Sequence, residues 1–192
     1  MFNELEQKII TFLSDPAAGL PADSGAEWHV PAANIMRFTP APYTPPADST
    51  TPVVPVVTIK LAEFKAADRS RETIGTGTQH TRQDPDTVLV RLDLTYTVDI
   101  YHTGLQQLHA IMARVTARLD NAVAELSAGL TASELLDFKL EGGGFSPAVE
   151  GPEENIFHDT LTYTAGCNMH ISKTAAAGKE IEEVVIENFD II

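Results

Sequence analysis

The sequence predicts an α+β domain: a largely antiparallel or mixed sheet of about four long strands, with an N-terminal helix and one long helix packed on one face. Three stretches predict it. Residues 88–101, VLVRLDLTYTVDIY, alternate Val88, Val90, Leu92, Leu94, Tyr96, Val98 and Ile100 with the polar set Arg91, Asp93, Thr95, Thr97 and Asp99. Successive strand side chains face opposite ways, so this run has one apolar and one wet face. A helical pattern follows almost at once, with Leu105, Leu108, Met112, Val115, Leu119, Ala122 and Leu126 spaced by threes and fours. Such a helix, about 33 Å long, is able to lie across the apolar face of the strand. A second alternation runs over 158–173, with Leu161, Tyr163, Ala165, Cys167, Met169 and Ile171 against Thr160, Thr162, Thr164, Asn168 and His170. Period-two alternation on this scale belongs to sheets with one covered face.

From the N-terminus, residues 1–14 read as a helix with Phe2, Leu5, Ile9, Phe12 and Leu13 on one side and Glu4, Glu6 and Lys8 turned away. Asn3 and Glu6 have the spacing of a capping box, and Pro16 ends the helix. Residues 16–52 read as a Pro-rich surface connection. Nine of the chain's 12 prolines fall between 16 and 55, which excludes interior strands and helices. Short edge strands are expected near 27–30 and 35–38, and the first long strand over 53–64. Residues 66–86 form a polar, Thr- and Gly-rich hairpin loop, long enough to expect a task for it. After the central strand and helix, 131–138 read as a short helix and 141–155 as Gly- and Pro-rich turn. A last strand over 181–192 closes a single domain, 1–192.

The 43% hydrophobic content is enough for a core over 192 residues. A net charge of −14 argues against sequence-independent grip on nucleic acid phosphates. One cysteine, Cys167, excludes an internal disulfide, and its strand setting reads as a buried inert thiol. No apolar run is long enough for a membrane-spanning helix, and the start lacks a secretory pattern, so a soluble protein made inside the cell is expected.

Chemistry leaves few marks. Gly75-x-Gly77 lacks the lysine and helix of a phosphate loop. His102 and His109 are seven apart across a strand–helix junction with no carboxylate at ligand spacing, and His158 and His170 are twelve apart on one strand. Glu182 and Glu183 would face opposite ways on a strand, and Glu153 and Glu154 sit in turn material. No catalytic, metal or cofactor-binding residue is therefore assigned, and no cofactor is expected.

The order of elements, with the strand–helix unit VRLDLTYTVDIYHTGLQQLHAIMARVTARLDNAV at its centre, resembles the tail terminator (tail-completion) proteins of tailed bacteriophages. The resemblance covers 1–14 and 53–192 in element order and texture. It implies a structural virion protein, in a ring usually of six subunits, that caps the tail tube and joins it to the neck or connector. The sheath is a further candidate partner. Genomic DNA would pass through the ring without specific binding, and no membrane would be involved. Made in the host cytoplasm, the protein would end in the virion tail or neck. On this reading Arg69, Arg71 and Arg82 of the polar loop are the expected inter-subunit or inter-ring contacts, because they are basic in an acidic chain. The alternatives are another head–tail neck or tail tube protein, or an α+β enzyme or small-ligand binder.

Overall fold

The computed structural model describes residues 2–45, 47–49, 51, 53–66, 87–120, 122–130, 133–146 and 156–172. They form a two-layer α+β domain. Its elements are α1 (Phe2–Leu13), a 3-10 turn (Ala32–Asn34), β1 (Ile35–Arg37), β2 (Val56–Ala66), β3 (Thr87–His102), α2 (Leu105–Leu119), α3 (Val123–Ser127), β4 (Ser133–Ser146) and β5 (Phe157–Ser172). The strands make one mixed sheet in the order β1-β2-β3-β5-β4, parallel only at β1–β2.

β3 and β5 form the spine, paired antiparallel from Thr87↔Ser172 to His102↔Phe157 without a register shift. At about 3.3 Å per residue their sixteen-residue pairing spans roughly 53 Å, against about 22 Å for the fifteen residues of α2. The alternation sorts as expected: Leu94, Tyr96, Val98 and Ile100 of β3 and Leu161, Tyr163, Ala165 and Cys167 of β5 are buried on one face. Leu108, Ile111, Val115 and Leu119 of α2 pack over them, joined in the same core by Leu5, Ile9 and Leu13 of α1 and Leu126 of α3. Full burial of each large side chain contributes about 1.5–3 kcal/mol, so this interface dominates the stability.

Several expectations need correction. The short helix expected over 131–138 does not form from Ser133 on: there the chain is strand β4, which runs through 141–146, a stretch read as turn. Leu135 and Phe138 stand three apart, as on a helix, because an irregularity at Leu135/Asp137 places an extra residue between these face-mates; a second irregularity follows at Leu140/Gly142. The long helix over 105–126 ends at Leu119; the chain turns at Asp120, and α3 supplies Leu126 as a separate short helix. Residues 27–30 form turn and coil rather than strand, and the first long strand starts at Val56 rather than 53. Glu6 is not turned away. It is buried and pairs with Arg37 of β1 at 3.1 Å, so no capping box forms, and α1 begins at Phe2 with Asn3 inside it. The strand expected over 181–192 lies outside the described residues.

The proline-rich connection does two jobs. Its first part returns to the helix layer, where Leu20 and Val30 join the core, Arg114 donates to the Ala18 carbonyl at 2.8 Å and its guanidinium covers Trp28. Gly19 makes the turn out of α1, and a Cβ there would sit 2.3 Å from the Leu13 carbonyl oxygen. The second part crosses to the other face of the sheet, where Tyr43, Val56, Tyr101 and Ile156 form a small separate core with Met36 and Val54.

Gly19→Ala is expected to cost about 1–3 kcal/mol in chemical denaturation, because the clash is with backbone that has no room to move. Leu94→Asp should abolish soluble folded protein, as an unpaired buried carboxylate forces unfolding, whereas Thr95→Asp on the opposite face should fold. Soluble yield and circular dichroism of the two variants check this.

Candidate functional site

The face of the sheet away from the helices carries the polar side chains of the spine. Cross-strand register sets them in rows: Thr58–Asp99–Thr160, Lys60–Thr97–Thr162 and Glu63–Thr95–Thr164. Threonine suits this position because its branched side chain fits a pleated surface while its hydroxyl stays hydrated or bonds across strands.

At the end of this face covered by the proline-rich connection, the rows converge into a polar cluster. Thr160 donates its hydroxyl to Asp99 Oδ1 at 2.6 Å, and His158 Nε2 lies 3.2 Å from the same oxygen. The His158 ring stacks on Tyr101, centroids 4.5 Å apart and nearly parallel, and Tyr101 in turn meets Tyr43 at 5.2 Å. Burial is the largest influence on Asp99 and raises its pKa. The hydrogen bonds from His158 and Thr160, helped by the charges of His158 and Lys60, outweigh it, so the carboxyl sits below its ordinary value. Neighbouring Tyr101 is pushed up to about 12, chiefly by burial and then by the Asp99 charge. The Thr58 hydroxyl, fully buried beside Asp99 in the row, has no partner among the described residues. The cluster ties β3 to β5 where the covering segment lies. One Asp99 oxygen accepts from Thr160 and faces His158, and the Thr160 hydroxyl also lies 3.3 Å from His158 Nε2, so the three groups close a triangle.

His102 sits at the junction of β3 and α2, where its Nδ1 accepts the Gly104 N–H at 2.7 Å. Burial depresses its pKa, in keeping with a neutral ring whose Nδ1 is an acceptor. His109 is exposed on α2. Cys167 is buried in the core, its thiol pushed up to about 11 by burial and then by the charges of Asp137 and Asp93, which makes it a poor nucleophile. Among the described residues no three His, Cys, Asp or Glu side chains gather as metal ligands, and no helix is long and apolar enough to cross a membrane. A shallow open groove runs between α1 and α3, lined by Gln7, Lys8, Thr11, Phe12 and Glu125; there Lys8 bonds the Ala128 carbonyl.

Arg69, Arg71 and Arg82, the contact residues expected from the sequence, lie outside the described residues, as do Glu153, Glu154, Glu182 and Glu183. The Asp99 cluster was missed from the sequence. Asp99 and His158 stand out as polar members of alternating runs, but only the register that sets Asp99 beside Thr160 brings them together.

The sheet edges are the other notable feature. β1 covers only Val57–Ile59 of β2, so from Lys60 to Ala66 the outer edge of β2 meets no strand among the described residues. The outer edge of β4 is likewise unpaired among them over all of Ser133–Ser146. Of the six large apolar side chains exposed among the described residues, Phe38, Phe64, Leu136 and Leu140 lie on or beside these two edges.

Fold and site define the class as a two-layer α+β domain with a mixed five-stranded sheet. No protein-family model matches the chain, and no curated protein matches it.

Asp99→Ala should cost about 1–3 kcal/mol, since it strands His158 and Thr160 in a mostly buried setting. Acid should destabilise the protein in two windows. His102 has a folded pKa below its unfolded value of about 6.5, so its contribution is complete above that pH and lost as pH falls through the depressed value. Asp99, depressed from 3.8, contributes fully above about pH 4 and loses its contribution lower down. Melting temperature measured from pH 7 to 5 should fall for the parent and fall less for His102→Gln.

Proposed function

We propose that this chain is a self-assembling structural subunit, of the kind that forms tail-terminator rings joining a virion tail tube to its neck. The observation that carries the reading is the pair of sheet edges, β2 beyond Ile59 and β4 throughout, that meet no strand among the described residues, on a spine longer than the α2 helix that covers it. Unpaired backbone donors and acceptors in a long edge strand are a template for another chain. Exposed Phe64, Leu136 and Leu140 stand along these edges, among charged Lys60, Glu63, Lys65, Glu134, Asp137 and Lys139. A single kind of subunit with different edges on its two sides joins head to tail, which gives a ring when the rotation closes. The net charge of −14 suits a passage that lets DNA move without adhering. Arg69, Arg71 and Arg82, between β2 and β3, are the proposed contacts to a neighbouring subunit or to the next ring.

Sedimentation velocity and negative-stain microscopy of the purified chain test this. Assembly into closed rings of uniform stoichiometry is expected, six being the number the resemblance implies. A species that stays monomeric up to high micromolar concentration overturns the reading. Joint charge reversal of Arg69, Arg71 and Arg82 to Glu should leave ring mass unchanged if they serve ring stacking, and lower it in a salt-dependent way if they serve the subunit interface.

A further inference from the structure

We infer that neighbouring copies of this chain clasp one another by segment and helix: the acidic residues 180–192 of one copy lie on the basic side of α2, and in the adjoining groove between α1 and α3, of the next. The inference rests on the ring reading and adds a contact between adjacent subunits.

Helix α2 has a charge unlike the rest of the chain. Against 27 Asp and Glu and 13 Lys and Arg overall, its sequence LQQLHAIMARVTARL holds His109, Arg114 and Arg118 and no acid. The two arginines are four residues apart, so they stand on one side of the helix, a turn from each other. Each guanidinium lies over an aromatic ring: Arg114 is 4.5 Å from the Trp28 centroid and Arg118 is 4.1 Å from that of Phe12. Such stacking holds the group in place while its N–H donors remain able to meet a carboxylate. Arg114 gives one hydrogen bond to the Ala18 carbonyl, and Arg118 makes none among the described residues. Neither arginine, nor Lys8 of α1, has a carboxylate within ion-pair distance among the described residues, although Asp120 and Glu125 follow Arg118 closely in the chain.

Phe12, the ring under Arg118, also lines the groove between α1 and α3, which has a volume of about 250 Å³. That is room for a large side chain beside Phe12. The basic side of α2 and this groove therefore offer two guanidiniums next to an apolar recess.

Residues 180–192, EIEEVVIENFDII, are the chemical complement. Glu180, Glu182, Glu183, Glu187 and Asp190 are interleaved with Ile181, Val184, Ile186 and Phe189, and no Lys, Arg or His stands among them. Carboxylates meet guanidiniums in paired, charge-assisted hydrogen bonds, and the apolar side chains between them suit the recess. An all-basic helix side and an all-acidic segment are two different surfaces on one chain, which is what head-to-tail joining requires.

Reach is sufficient for exchange between copies. At the β5 end, the core rows among the described residues stop at Leu92↔Cys167, and β5 continues five residues farther to Ser172, about 17 Å at strand spacing. The eight residues from there to Glu180 span at most about 26–29 Å. The chain thus leaves the sheet beyond its own core row, with enough length to meet a neighbour's helix layer.

The test uses the full chain. Arg114→Glu/Arg118→Glu makes the helix side acidic and should raise the concentration for half-assembly about tenfold, a difference that shrinks at high salt. Arg118→Glu alone should raise it about threefold, and it disturbs no hydrogen bond if the double variant fails to fold by circular dichroism. Glu182→Lys/Glu183→Lys/Glu187→Lys makes the segment basic and should again cost about tenfold. An equimolar mixture of the two reversed chains sets opposite charges at every junction when they alternate, and should assemble within about threefold of the parent. A parent that assembles, with variants that assemble equally well, overturns the clasp and leaves the ring reading standing. Weakened variants that mixing does not restore overturn exchange between copies. Retention of a duplex DNA oligonucleotide by the parent but not by Arg118→Glu assigns the helix side to nucleic acid and overturns the clasp as well. A parent that never assembles fails the ring reading and this contact with it.

Discussion

The uninterrupted pairing of β3 with β5 is the constraint on which the rest depends. Sixteen residues on each strand are locked in one register, and a slip by one would turn Leu94, Tyr96, Val98 and Ile100 from the helix layer to the wet face. That penalty, many side chains at about 1.5–3 kcal/mol each, holds the register more firmly than any single hydrogen bond. It also decides where everything else goes. α2 lies over the buried face, β2 and β4 extend the sheet on either side, and the polar rows of the opposite face fall into line.

Polar groups concentrate where that spine meets other parts of the chain. Glu6 is buried because α1 crosses β1, and Arg37 stands beside it; burial nonetheless raises the Glu6 pKa more than the arginine lowers it. Asp99 shows the opposite balance, since two hydrogen-bonding neighbours outweigh its burial. The difference is one of partners. Arg37 is half exposed and its charge is shared with solvent, whereas Thr160 and His158 are aimed at Asp99 by strand register.

The sequence shows where its own reading of β4 failed. SELLDFKLEGGGFS has helical spacing and a glycine run, and both features come from a strand at the sheet margin. Extra residues at Leu136 and Glu141 break the period of two, and Gly166 leaves space for the Asp137 carboxylate to accept its N–H at 3.0 Å. Local pattern has no means of registering an irregularity imposed by a neighbouring strand. Much the same holds for the proline-rich connection: its composition excludes regular structure, but docking of Leu20 and Val30 under the helices and of Tyr43 on the opposite face depends on surfaces that exist only once the sheet has formed.

By itself the sequence determined the α+β class, the apolar face of β3 and β5, the helix that follows β3, and the acidic balance of the chain. Each is written in side-chain periodicity or composition, which act over a few residues and need no distant partner. Tertiary structure alone decided that Asp99, His158 and Thr160 meet, that Glu6 is buried against Arg37, and that β4 rather than a helix borders the sheet. It also decided which residues share a row from one edge to the other. Those facts depend on strand order and register, which emerge when segments far apart in the chain compete for the same hydrogen-bonding edges.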